Sequence, residues 1–183
     1  AQCVELAQDA GRAAKVLAGD APELVRLCTD LEKAARDARL AFPALAVKQT
    51  EEEALKAPAF TTALAALDEA LAAYAGGFKA QAERAQELAQ CLARGEELAA
   101  RLTRWRKDQD SERVRWLETT PRAVLLHSTP LSVAELFGQQ VREDARAWVL
   151  TSATLSMAGD FKHLLSRLGL EGAETFSVES PFD

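Results

Sequence analysis

Apolar side chains recur at helical spacing through the first hundred positions. Leu64, Leu67, Leu71, Tyr74 and Phe78 follow at intervals of 3, 4, 3 and 4, one stripe on a helix starting near Pro58. Gly76-Gly77 is expected to end or bend that helix. Leu88, Leu92, Leu98, Leu102 and Trp105 form a second broad face. Upstream, Leu6, Val16 and Leu17 mark a weaker helix that Gly19 closes. Asp20 then offers an N-cap, with Pro22 in the first turn and Glu23 three residues on. The apolar set Leu24, Leu27, Cys28, Leu31, Ala35 and Ala38 follows, and that helix must stop before Pro43. Residues 43–57 read as a connector with one helical turn around 51–55. No glycine or proline marks the turn around 82–87, so the count of helices stays at three or four.

The rhythm changes beyond residue 107. Segments 113–119 and 123–128 alternate as two strands joined at Thr120-Pro121, a hairpin. Ser132, with Glu135 three positions on, predicts a capping box for a helix over 133–141. AWVLT at 147–151 reads as a third strand, covered on both faces. A short amphipathic helix spans 161–168 and ends at Gly169, and 175–178 reads as a fourth strand. Composition agrees with this division: residues 1–100 hold 30 alanines and 101–183 hold 7, so only the first part is a strong helix former. The expected fold is an α-helical bundle over residues 1–110, followed by a small α/β segment over 111–179. The polar stretch KDQDS at 107–111 supplies the boundary.

A net charge of −6 argues against a surface wholly devoted to nucleic acid, but leaves room for a local basic stripe. No run of 18 apolar residues occurs, so no membrane span is expected. The first residues lack a basic start and an apolar core, so they are not a secretory signal, and the absent initial Met predicts a piece of a longer chain. Cys3, Cys28 and Cys91 form no C-x-x-C pair, which suits packed reduced thiols and a cytoplasmic setting. His127 and His163 are isolated, and no metal site is expected. No phosphate loop, dinucleotide fingerprint, nucleophile elbow or zinc-protease motif is present. Alone, the chain is poorly equipped to be an enzyme.

Two stretches could carry chemistry. Arg101, Arg104, Arg106, Lys107, Arg113 and Arg115 give residues 101–115 a net charge of +3, with Trp105 and Trp116 beside them. Cations beside aromatics grip single strands by neutralising phosphates and stacking bases. The same pattern also describes core tryptophans with arginines reaching to solvent. The second stretch is WVLTSATLS from Trp148, where a strand ends in Thr151, Ser152 and Thr154. Hydroxyls there either cap a tight turn or face a ligand beyond the strand end.

TSATLS resembles motif III of superfamily 2 helicases. The ordered series VRWLE, LLHSTPLSVAELF, AWVLTSATLS, FKHLLSRLGL and SPFD resembles the DinG/YoaA branch of bacterial helicases, relatives of XPD. The resemblance is specific over 114–183 and diffuse over 1–110. It implies an ATP-dependent, 5′-to-3′ DNA helicase of repair or replication, using Mg2+ and carrying a 4Fe-4S cluster, cytoplasmic and associated with the nucleoid. Single-stranded or forked DNA would be its substrate. The helical half would be the arch insertion, and the rest the return to a RecA-like motor domain. Ser152, Ala153 and Thr154, flanked by Thr151, would couple the ATP site to DNA movement. Ser180-Pro181-Phe182-Asp183 resembles the join to the second motor domain. The family's phosphate loop, cluster cysteines and DEAH box are absent from these residues, so the piece itself is expected to bind none of these groups and to be inactive. The rival expectation is a helical adaptor whose apolar faces recruit a partner protein.

Overall fold

The computed structural model describes residues 2–43, 46–107, 110–151 and 160–177. Four long helices, α1 (Gln2–Leu17), α2 (Pro22–Leu40), α4 (Pro58–Lys79) and α5 (Gln86–Lys107), pack in a ring. In that ring α1 touches α2 and α5, and α4 touches α2 and α5. Each turns its apolar stripe inward, because only joint burial offsets the entropy of ordering the chain. Leu6, Leu24, Leu31, Phe60, Leu71, Tyr74, Phe78 and Leu88 lose all exposure in this core. The bundle and the small α/β part are both present, as the alternation of patterns predicts.

Details of the helix ends differ from expectation. Ala21, not Asp20, is the N-cap of α2, and no side chain caps it. The Asp20 carboxylate instead accepts two hydrogen bonds from the Arg84 guanidinium, at 2.5 and 2.6 Å. That fork ties the α1–α2 turn to a 3-10 turn (Ala82–Arg84) and holds the Asp20 carboxyl below its usual range. Gly76-Gly77 does not end α4, which continues to Lys79 because Tyr74 and Phe78 are buried on its inner face. Gly77 is used for close approach: a Cβ there would lie 2.3 Å from Leu27 Cδ1.

The connector holds more structure than its pattern announces. Strand β1 (Lys48–Thr50) precedes the expected helical turn α3 (Glu51–Leu55), whose capping box joins Thr50 and Glu53. The strand was illegible because three residues of exposed, half-buried, exposed character carry no period. It pairs antiparallel with β2 (Arg113–Thr119), matching Lys48 with Glu118 and Thr50 with Trp116. The predicted hairpin partner, β3 (Val124–Pro130), completes a sheet of order β1-β2-β3. Leu117 belongs to the helical core, and Val124 and Leu126 pack against it. Two compact units therefore divide the chain at Thr129 and Pro130, with the hairpin on the helical side.

The second unit contains α6 (Ala134–Glu143) and α7 (Lys162–Leu168), packed on one another. Ser132 does not cap α6 as predicted; Val133 is the N-cap, and Ser132 Oγ accepts from Ala134 N at 3.3 Å. Gly169 ends α7 in the left-handed conformation, as expected. Residues 147–151 and 175–177 belong to no helix or strand, so among the described residues neither the third nor the fourth predicted strand forms. An apolar run becomes a strand only when a neighbour accepts its backbone hydrogen bonds, and the described residues offer none. Trp148 instead meets Phe137 edge-on at 5.9 Å, while Val149 is 82% exposed. Ser152, Ala153, Thr154 and the SPFD join lie outside the described residues. Among the described residues, no helix is long and apolar enough to cross a membrane.

Candidate nucleic-acid interface

The basic stripe does not form one patch, because α5 and β2 spend its cations differently. Trp105, near the end of α5, is buried against the sheet, and its Nε1 donates to His127 O at 2.8 Å. It is a core residue. Arg115 donates from Nη1 to Trp105 O at 2.8 Å and pairs through Nη2 with Glu51 Oε2 at 2.8 Å. Arg113 spans to the neighbouring strand, donating to Ser128 Oγ and Ser128 O at 2.8 and 2.9 Å. Odd-numbered β2 residues turn toward the helices, which explains why both arginines find protein partners. On α5, Arg106 pairs with Asp68 at 2.6 Å and Arg101 reaches Glu97 only at 3.8 Å. Arg104 and Lys107 are exposed, with no acidic partner among the described residues. Arg101, Arg104 and Lys107 thus follow at three-residue steps along one side of the helix end.

Trp116 lies on the opposite face of β2. Its indole stacks on the His127 imidazole, centroids 3.9 Å apart and planes 10° from parallel. Its Nε1 donates to Thr129 Oγ1 at 3.1 Å, and Lys48 Nζ lies 5.5 Å from the ring centroid. Glu118 lies 3.6 Å from Lys48 Nζ and 4.0 Å from His127 Nε2. Cross-strand stacking and a cation near the ring order the side chain in place. No local pattern points to Lys48, which only the pairing of β1 with β2 brings beside Trp116; Glu118 shares the face of β2, and His127 comes from the hairpin partner β3. The face is aromatic but charge-balanced, whereas the end of α5 holds the freer cations. A surface depression of about 450 Å3 lies on α4 among Thr61, Thr62, Ala65, Ala66 and Glu69, and gathers no acid–base pair.

The cysteines do not fit an iron–sulfur cluster. Cys28 and Cys91 are buried in the bundle and Cys3 is half-buried. Burial pushes all three thiols up, Cys28 to about 12. A cluster needs thiolates, and these sites favour the neutral thiol. Among the described residues no three His, Cys, Asp or Glu side chains gather into a metal site. A test follows directly. At pH 8 a thiol with a value near 12 is about one ten-thousandth ionised. Iodoacetamide should therefore leave Cys28 unmodified in the native chain, and label it only in denaturant; mass spectrometry reads the site.

Comparison with known proteins finds similarity along the whole chain. It is 32% identical over 182 residues to the ATP-dependent DNA helicase YoaA of Escherichia coli, covering 100% of this chain and 29% of that protein. The YoaA of Haemophilus influenzae is 46% identical over 68 residues, 37% of this chain and 11% of its own length. The 3′-5′ exonuclease DinG of Bacillus subtilis is 35% identical over 79 residues, 40% of this chain and 8% of its own. The chain thus spans less than a third of the length of each of these relatives. No family model and no solved structure matches it.

Proposed function

We propose that this chain, whose homologues are helicases of the DinG/XPD-like family, works as the arch and motor-return portion of an ATP-dependent DNA helicase. One observation carries the reading: similarity to a protein named an ATP-dependent DNA helicase runs unbroken through both the helical bundle and the α/β part. In this reading residues 1–110 are the arch, which guides single-stranded or forked DNA during repair or replication. Residues 111–179 return to a RecA-like motor domain, and residues 180–183 begin the junction to a second one. The parent moves 5′-to-3′ in the cytoplasm, associated with the nucleoid. ATP, Mg2+ and a 4Fe-4S cluster belong to other parts of the parent, and the isolated piece is inactive.

The chain's own residues have two tasks. Arg101, Arg104 and Lys107 are the cations best exposed to phosphates, with Arg106 beside them already shared with Asp68. Arg113, Arg115 and Trp116 stand behind them as the ordered sheet on which that helix end rests. Thr151, Ser152, Ala153 and Thr154 form the coupling segment, its hydroxyls holding hydrogen bonds that change as DNA moves. They act as a relay and not as nucleophiles.

Thr154→Ala in the full-length parent is the test. Losing one coupling hydrogen bond should slow unwinding of a forked duplex by about tenfold. ATP affinity should stay near that of the unaltered protein. Unwinding at the full rate by the variant would remove the relay role.

A further inference from the structure

Two arginines from different elements fasten helix ends to the sheet. Arg39, in the last turn of α2, is only 8% exposed. Its Nη1 donates to Phe42 O at 3.1 Å, just past its own helix, and its Nε donates to Thr120 O in the β2–β3 turn, 81 positions away. No carboxylate among the described residues pairs with it, so carbonyl dipoles and the negative end of α2 answer its charge. Arg115, on β2, joins Trp105 O with Glu51, the first residue of α3. That carbonyl is one of the four that the end of α5 leaves without an intrahelical partner.

Further bonds close the same seam. Val47 N donates to Thr119 Oγ1, and Thr119 N donates to Val47 O, both at 2.9 Å. Trp105 Nε1 adds its bond to His127 O on β3. Strands β2 and β3 are therefore each tied to a helix end or its connector by groups that are costly to leave unpaired when buried.

We propose that Arg39 and Arg115 are positioning residues that make the helices and the three-stranded sheet one mechanical body. Movement of the helix ends then passes into β3 and leaves the unit along the chain at Thr129. The inference rests on the helicase reading only for its use: it supplies the route from the arch to the segment bearing Thr151–Thr154. The fastening itself needs no such reading.

The experiment uses the full-length parent with Arg39→Met, Arg115→Met and, as a milder variant that keeps the fold, Glu51→Gln. Hydrogen exchange of the β2 and β3 amides should quicken by about tenfold in either arginine variant, and by less in Glu51→Gln. Amides of α4 around Leu71–Tyr74 should keep their protection. Base pairs opened per ATP hydrolysed should fall about threefold, with ATP turnover itself unchanged. Arg115→Lys, which keeps the charge but loses the fork, should fall between. Unaltered exchange in the sheet, or equal quickening in α4, overturns the fastening. A loosened sheet with normal base pairs per ATP overturns the transmission. If the unaltered parent opens no duplex, the helicase reading fails, and the exchange result still decides the fastening.

Discussion

Tyr74→Ala is expected to remove about 3–5 kcal/mol of stability, the range for deleting a large buried aromatic side chain. Tyr74 is fully buried where α4 faces α5, stacked on Phe78 at 4.3 Å and 22°. Its hydroxyl donates to Cys91 O at 3.1 Å, and burial raises its ionisation well above the usual range. The ring occupies the space over Gly95, where a Cβ would come within 2.5 Å of Cε1. Removing it leaves a cavity that two rigid helices cannot close without breaking other contacts. Urea unfolding followed by circular dichroism, at constant slope, measures the loss. Tyr74→Phe, which keeps the ring, should cost about 1 kcal/mol. A loss below about 1 kcal/mol for the alanine variant would mean that the α4–α5 seam repacks, contrary to its close packing here.

Gly169→Ala should produce the second large effect, confined to residues 130–183. Gly169 has φ 67°, and a Cβ there would meet Ala134 O at 2.1 Å. Gly138, on α6, is packed as tightly, its own added Cβ reaching Gly169 O at 2.5 Å. The helices α6 and α7 therefore meet through backbone. Left-handed geometry costs alanine about 1–2 kcal/mol, and displacing a carbonyl from a tight contact adds about 1–3 kcal/mol. Exchange of α6 and α7 amides should accelerate while α4 stays protected. Gly169→Asn separates the two causes, because asparagine tolerates the left-handed region yet carries the same Cβ. Asparagine as harmful as alanine assigns the effect to the contact; a mild asparagine assigns it to the backbone angle.

The elements legible in sequence are those whose reasons are local. Pro22 and Pro58 open α2 and α4, and Gly169 closes α7, because ring and glycine restrict or release the backbone wherever they stand. The stripe from Leu64 to Phe78 predicts its own burial. Asp20 is a short acidic side chain before a helix and suits a cap, yet a guanidinium 64 positions away competes for it. Gly76-Gly77 does not stop α4, because the cost of glycine in a helix is small beside the burial of Tyr74 and Phe78. The basic stripe is continuous in sequence, although strand alternation sends Arg113 and Arg115 one way and Trp116 the other.

By itself, then, the sequence determined the helical bundle, the hairpin after it and the likeness to DinG/YoaA-type helicases, since periodicity and ordered motifs are properties of neighbouring residues. Only the tertiary structure decided which cations stay free, that a three-residue strand from the connector joins the hairpin, and that the sheet is built onto the helices. It also left Trp148–Leu150 without a strand partner among the described residues. The physical reason is common to these cases: a guanidinium, an indole or a strand edge takes its role from the group that answers its hydrogen bonds. Those partners, such as Arg39 and Thr120, meet across many tens of residues that no local pattern encodes.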